Sequence, residues 1–551
     1  MRHGRRCVTD RRPRRRRLVR LESSRRRRLV VVGPRREDGR TDDRTAMGPR
    51  AAVAFGVDAG VASDGPRDLG RARWRWDRRG RRRLARGRRR LESSASREDA
   101  DDGAGRGGDD DGGDDVARER GCAWRTTVET FYRAESAQAR DAAVVCVRAW
   151  TRGARDGTTA LDATAASGAR AVRYAAVVPG LRSIACNDVN ERVREVLEEN
   201  LDAHVRSRGV EATTTFADAQ RLFAEKWLEG TTYDVVDVDG FGSANFTDGA
   251  LRVVRYGGLF YATATDGRAL CGQNAERCAT AFGNAVVAPS RPSVNETALR
   301  VFIGDVVRRG AALKLDVSPV FSLFHGHGPV FRVMFRVDKG GSRYGAHGVD
   351  DASTRVGFIG YCDACGNTEI IKRPLIDVFG HNKTVEDADG GEVSSLMCST
   401  CAPLAESGAR SARLAVSGPL WIGSLHDRET VDAMRDEADA LGWLSDDEED
   451  ASRRVKGQLS LGDLLDAFRA EADPALARSP HYFRTDELGR KGRAKRVPPR
   501  DVLITALRAE GFAAARSHLD PRGLKTNASV SQVVECANRV CDALDELEGR
   551  A

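Results

Sequence analysis

A carboxylate and an aromatic ring stand two residues apart in YDVVDVDGFGSANF (233–246). The run Val235–Val238 ends at Asp239, and the chain then breaks into Gly240, Phe241 and Gly242. Such a run reads as a buried strand that delivers Asp239 and Phe241 to the rim of an α/β sheet, where open sheets bind ligands. The pair suits a flat base that carries an amine: the ring stacks and the carboxylate accepts a hydrogen bond from the NH2. Asp188 in SIACND (183–188) and Asp218 in TTTFAD (213–218) end strand-like runs in the same way. An acid after a second strand accepts from both hydroxyls of a ribose. One after a third strand can take an adenine amine, and Asp239, after the fourth, faces the substrate. For any single acid of this kind the ordinary role is a helix N-cap; three in register point to a ligand.

The cysteines make a separate chemical argument. Four of the twelve form two knuckles, Cys362 with Cys365 and Cys398 with Cys401. There is no secretory apolar stretch, so the thiols read as reduced and metal-binding. Four thiolates suit a closed, tetrahedral, structural zinc ion. His325 and His327, in HGHG (325–328), read as loop positions near substrate or in solvent rather than as ligands.

The elements that must position these residues alternate. TALDA (159–163) is a strand, and TAASGAR (164–170) is a small-residue loop opening a helix through Val177. SIACND follows, then a helix over Asn190–His204 with Val193, Val196, Leu197 and Leu201 on one face. TTTFAD, YDVVDVD (233–239) and GGLFYATATD (257–266) complete five strands. Alternation of this kind predicts a doubly wound α/β fold with a parallel sheet and right-handed crossovers. The first loop holds one glycine, Gly168, rather than a GxGxxG. That disfavours a tightly packed pyrophosphate and leaves room for a cofactor without one, such as S-adenosyl-L-methionine.

Charge divides the chain. Residues 1–100 hold 33 Arg or Lys against 13 Asp or Glu, a charge of +20; since the whole chain carries +9, the rest carries −11. The body therefore contacts nucleic acid only through local patches. RTDELGRKGRAKRVPPR (484–500), after His481, Tyr482 and Phe483, is such a patch, fit for RNA backbone and base contact; a solvated loop is its plainer reading. VLITALRAEG (502–511) predicts a helix capped by Gly511. We expect three parts: 1–120, an Arg-rich disordered leader; 121–345, the catalytic domain; and 346–551, a C-terminal zinc-containing RNA-binding domain. The leader resembles an organellar transit peptide for chloroplast or mitochondrion, with a basic tail and a nuclear location as the other reading. No apolar run reaches the ~18 residues of a membrane span.

Several segments resemble the tRNA guanine-26 N2-dimethyltransferases, class I S-adenosylmethionine enzymes with a Rossmann-like domain. They are FYRAESAQARD (131–141), LDATAASGARAVRYA (161–175), CND (186–188), ADAQ (217–220), DVDGFGS (237–243), GGLFYATATDGRALCG (257–272), ETALRVFIG (296–304), GPVFRVMFRV (328–337), GPLWIGSLHD (418–427) and GLKTNAS (523–529). The resemblance spans about 126 to 530. It implies the fold class: a class I S-adenosylmethionine-dependent α/β domain followed by a C-terminal α+β domain with the zinc knuckle pair. It implies that Arg140 and Arg170 lie at the cofactor, where a guanidinium can pair with the methionine carboxylate. Asp188 would hold the ribose, Asp218 and Ala219 would face the adenine, Asp239 would be the catalytic acid, and Phe241 would stack on the extruded guanine. The implied partner is tRNA, met by a monomer without a membrane. One departure stands out: the family usually has Pro after the catalytic acid, and here the residue is Gly240. Pro would stiffen the turn and Gly loosens it. Methylation at another RNA position, and a catalytically inactive tRNA-binding relative, therefore remain alternatives.

Overall fold

The computed structural model describes residues 115–549 outside 153–156, 288–290, 326–329, 341–354, 372–396, 402–413, 456, 477–478, 492–493 and 548. All of these belong to one unit, Gly108–Ala551. Of the expected leader, 1–114 lie outside the described residues. Its last residues already form β1 (Asp115–Glu119), which pairs antiparallel with β2 (Cys122–Thr126).

Five parallel strands follow: β3 (Thr158–Asp162), β4 (Leu181–Asn187), β5 (Glu211–Thr215), β6 (Tyr233–Val238) and β7 (Val254–Ala264). β8 (Leu315–His325) and β9 (Val330–Lys339) extend the sheet antiparallel beyond β7, giving the order β5-β4-β3-β6-β7-β9-β8. β3 and β6 are buried along their whole length, as expected of central strands covered on both faces. The pleat then sorts their side chains. Val236 and Phe260 pack on one face with the helix Val294–Ala312. Val235, Leu259 and Tyr261 pack on the other with the helix Ala137–Thr151. This is the doubly wound α/β domain.

The C-terminal part is α+β. β10 (Val356–Cys362), β11 (Thr368–Ile371) and β12 (Leu414–Trp421) form one antiparallel sheet. β13 (Phe483–Arg484), β14 (Ala514–Arg516) and β15 (Gly523–Thr526) form another. The helix Val294–Ala312 seats directly on β12: a Cβ at Gly304 would lie 2.9 Å from the Trp421 amide nitrogen, so only glycine permits that approach.

Candidate active site

β3 is flanked by β4 on one side and β6 on the other. The chain reverses direction of travel across the sheet there, and the crevice beyond those strand ends is where an open α/β sheet binds ligands. A cavity of about 490 Å³ occupies it. Its floor is the loop after β3 and the turn Asp239–Gly240–Phe241 after β6. Phe324, His325 and Arg332 supply one wall, and Gln458, Leu464 and His518 from the C-terminal part close it over.

Asp239 is tethered on both carboxylate oxygens. Oδ1 accepts from Thr263 Oγ1 at 2.6 Å and Arg332 Nε at 3.3 Å, and Oδ2 pairs with Arg170 Nη2. Burial opposes the charge, but Arg170 and Arg332 overcome it and hold the carboxyl well below its ordinary range. Asp239 is therefore a fixed anion, an acceptor of hydrogen bonds rather than a proton donor. Arg170 Nη1 also reaches Asp237 Oδ2 at 2.9 Å, and its guanidinium lies 4.3 Å from the Tyr261 ring centroid. Phe241 stands exposed at the mouth, edge-on to Phe131 with centroids 5.0 Å apart.

The cavity brings together four of the expected residues, Arg140, Arg170, Asp239 and Phe241. Arg140 is already engaged. Its Nε donates to Glu119 Oε1 and Oε2 at 3.0 and 3.1 Å, and its Nη2 to the Arg133 carbonyl at 2.8 Å. Asp188, Asp218 and Ala219 stand at the ends of β4 and β5, outside the lining. Asp188 Oδ2 accepts from the Ala166 amide at 2.8 Å, bracing a loop residue with a left-handed φ of 47°. Asp218 caps the helix Ala219–Leu228 by accepting from the Gln220 and Arg221 amides, and Ala219 is buried beneath it.

Sequence reasoning missed Phe131, Asp162 and Glu119. Asp162 lines the cavity with Oδ2 buried and unpartnered. Burial first, then Asp237, pushes its carboxyl well above the ordinary range. The signal was there, since Asp162 ends the first strand as Asp239 ends the fourth. His325 is buried on the cavity wall, within 3.3 Å of Gln138 Oε1 and 3.4 Å of Gln458 Nε2; His327 lies outside the described residues.

The four knuckle cysteines converge: their sulfurs lie within 4.8 Å of one another. Cys365 and Cys398 are 3.7 Å apart, and a tetrahedron with Zn–S bonds of about 2.3 Å has edges of about 3.8 Å. The donor set fits zinc. The basic tract 484–500 is partly spent on internal pairs: Arg484 with Asp486, Lys491 with Asp363, Arg496 with Asp545, and Arg500 with Asp501. Lys525 is buried, 2.9 Å from Glu296 and 3.0 Å from Glu471. Glu471 also accepts from His518 Nδ1 at 2.8 Å and Glu296 also pairs with Arg300 at 2.8 Å, so the Lys525 ammonium bridges two carboxylates from the two parts of the chain.

A mixed sheet of this order, with its ligand crevice between the first and fourth parallel strands, defines a class I S-adenosylmethionine-dependent methyltransferase fold. A solved complex of Trm1 from Pyrococcus horikoshii with S-adenosyl-L-methionine superposes on it with a TM-score of 0.57 at 23% identity, covering 74% of this chain and 94% of that one. The N2,N2-dimethylguanosine tRNA methyltransferase family matches residues 115–538, and the chain belongs to it. The tRNA (guanine(26)-N(2))-dimethyltransferase of Pyrococcus horikoshii is 28% identical over 396 residues, 69% of this chain and 86% of that protein. The mitochondrial tRNA (guanine(26)-N(2))-dimethyltransferase of Saccharomyces cerevisiae is 26% identical over 385 residues, 67% of this chain and 60% of that protein.

Proposed function

We propose that the protein methylates the exocyclic N2 of guanine in tRNA, at position 26, with S-adenosyl-L-methionine as methyl donor, and proceeds to N2,N2-dimethylguanosine. The observation that carries this reading is the Asp239 carboxylate, held by Arg170, Arg332 and Thr263, facing a cavity whose mouth holds Phe131 and Phe241. A guanine amine is a poor nucleophile because its lone pair is delocalised into the ring. The target base must leave its stack to enter, and the aromatic pair receives its face. A carboxylate offers about four lone-pair sites, and three are taken by Thr263, Arg332 and Arg170. The remaining one accepts an N–H of the amine and localises the lone pair on N2. The donor supplies an electrophilic methyl on a sulfonium. N2 forms the new N–C bond as the S–C bond breaks, and its proton then passes to water, because Asp239 is too weak a base to keep it. Rate comes from alignment and fixed charge rather than from proton abstraction. Monomethylguanine keeps one N–H, so a second transfer needs only reorientation of the base.

Arg140, Arg170 and Asp162 suit the charged methionine end of the donor, and Asp162 Oδ2 is a buried acceptor without a partner. Asp188 would take the ribose, and Asp218 with Ala219 the adenine. The four cysteines would hold a structural zinc ion. One chain supplies every group, so a monomer suffices, and among the described residues no helix is long and apolar enough to cross a membrane. We assign the leader to organellar import.

The test is mass spectrometry of nucleosides from a tRNA transcript incubated with methyl-labelled donor. Labelled N2-methylguanosine followed by N2,N2-dimethylguanosine is expected, and neither from a transcript with adenine at position 26. Label in another nucleoside, or none, refutes the reading. Asp239→Asn should lower transfer by about 10²–10³ and leave donor affinity, measured by calorimetry, within about threefold.

A further inference from the structure

The turn that carries Asp239 and Phe241 rests on the loop after β3. A Cβ at Gly240 would lie 2.9 Å from Thr164 Cγ2, 3.3 Å from its Cβ and 3.4 Å from its Oγ1. Carbon atoms sit comfortably only at about 3.5–4.0 Å, so any side chain at 240 must displace the turn or Thr164. Backbone conformation is not the reason for the glycine: Gly240 is absent from the positive-φ glycines, which include its neighbour Gly242. The constraint comes from across the cavity floor. Thr164 is β-branched and stiff about χ1, so its methyl cannot fold away cheaply. Thr164 and Gly240 both line the cavity, and Thr164 Oγ1 is buried with no hydrogen-bond partner. The loop gives little: the Thr164 amide reaches Asp162 Oδ1 at 3.4 Å, and the Ala163 and Ala165 amides bond to the carbonyls of Asp237 and Asn187 at 2.9 and 2.8 Å.

We propose that Thr164 and Gly240 form a size-matched pair that sets the height of Asp239 and Phe241 over the cavity, which makes Thr164 a positioning residue for methyl transfer. This accounts for the glycine where the family resemblance puts proline: a ring at 240 would carry its Cβ into the Thr164 methyl. The pair rests on the reading that Asp239 and Phe241 act on the base.

The experiment is a double-mutant cycle read by steady-state kinetics on tRNA and by thermal melting. Gly240→Ala should lower kcat at least about tenfold, since displacements near 1 Å at a reacting centre cost up to about 10², with both KM values within about threefold. Thr164→Ser, which removes the methyl, is the background against which the double variant is read. Combined with Gly240→Ala it should restore kcat to within about threefold of Thr164→Ser alone. Thr164→Val, which keeps the methyl, should not rescue. Full activity of Gly240→Ala, failure of Ser to rescue, or equal rescue by Val overturns the pair. If Gly240→Ala fails to fold, its melting transition must return in the Ser double variant and stay lost in the Val one; any other pattern overturns it too. An unmodified protein that leaves tRNA unmethylated would refute the proposed function, and the melting cycle would still decide the pair.

Discussion

Replacing Glu119 with glutamine tests the buried charge network behind the site. Glu119 ends β1, and its side chain is fully buried. Its carboxylate receives Arg140, Arg173 and the Tyr132 hydroxyl, the last at 2.8 Å. Burial alone would raise its pKa; the two guanidiniums reverse the sign and hold it at about 2, against an ordinary 4.5. At about 1.4 kcal/mol per pH unit, the ionised carboxylate contributes about 3 kcal/mol of stability at neutral pH. A pKa lowered on folding gives stability that is fully present above the unfolded value and fades as pH falls toward the folded one. The contribution is therefore about 3 kcal/mol at pH 7, about 2 at pH 3.5, and gone below about pH 2. Equilibrium urea unfolding of Glu119→Gln and of the unmodified protein, at pH 7 and pH 3.5, measures both gaps. The variant should be less stable by about 3 kcal/mol at pH 7, and the gap should narrow on acidification. A gap under about 1 kcal/mol at pH 7, the size of an exposed pair, refutes the reasoning, as does a gap that widens in acid.

Three further outcomes follow from the geometry. Protein purified without chelators should hold about one zinc ion per chain, and Cys362→Ser or Cys398→Ser should remove most of it; zinc-free unmodified protein sinks the site. Lys525→Met removes the cation shared by Glu296 and Glu471, leaving Glu296 with Arg300 and Glu471 with His518, and should cost about 3 kcal/mol, partly recovered by adding Glu471→Gln; a melting temperature unchanged in Lys525→Met contradicts this. Burial, then Arg332, pushes the His325 imidazole down to about 3, and the Asp239 carboxyl is held well below its ordinary range. Neither changes charge between pH 5.5 and 8.5, so His325→Gln should leave the pH profile of kcat/KM in shape; an acid limb near pH 6.5 that vanishes in that variant would refute it.

Much of the fold was legible because the central strands are buried on both faces. TALDA and the valine-rich stretch Val235–Val238 read as strands, and β3 and β6 stand where those runs do. The antiparallel strands β8 and β9, and the hairpin β1–β2, were not read as elements. β1 sits in Asp- and Arg-rich sequence with no periodic signal, and Glu119 gains its importance only from Arg140 and Arg173, 21 and 54 residues further along. Phe131 was visible within FYRAESAQARD but had no role until folding set it against Phe241. Lys525 was visible within GLKTNAS, but only tertiary pairing with two carboxylates puts it inside.

Gly240 is where local reasoning and folding diverge most usefully. Taken alone, glycine after the acid means a looser turn, and a looser turn means a poorly aimed carboxylate. The structure gives the opposite balance. Asp239 is held by Thr263, Arg332 and Arg170 from three separate elements, so its aim does not depend on the stiffness of its own turn. Pro restrains one φ; three charge-assisted or short hydrogen bonds restrain the carboxylate itself, each worth about 1–3 kcal/mol when buried. What the turn must still do is clear the Thr164 methyl, and glycine is the residue that does so.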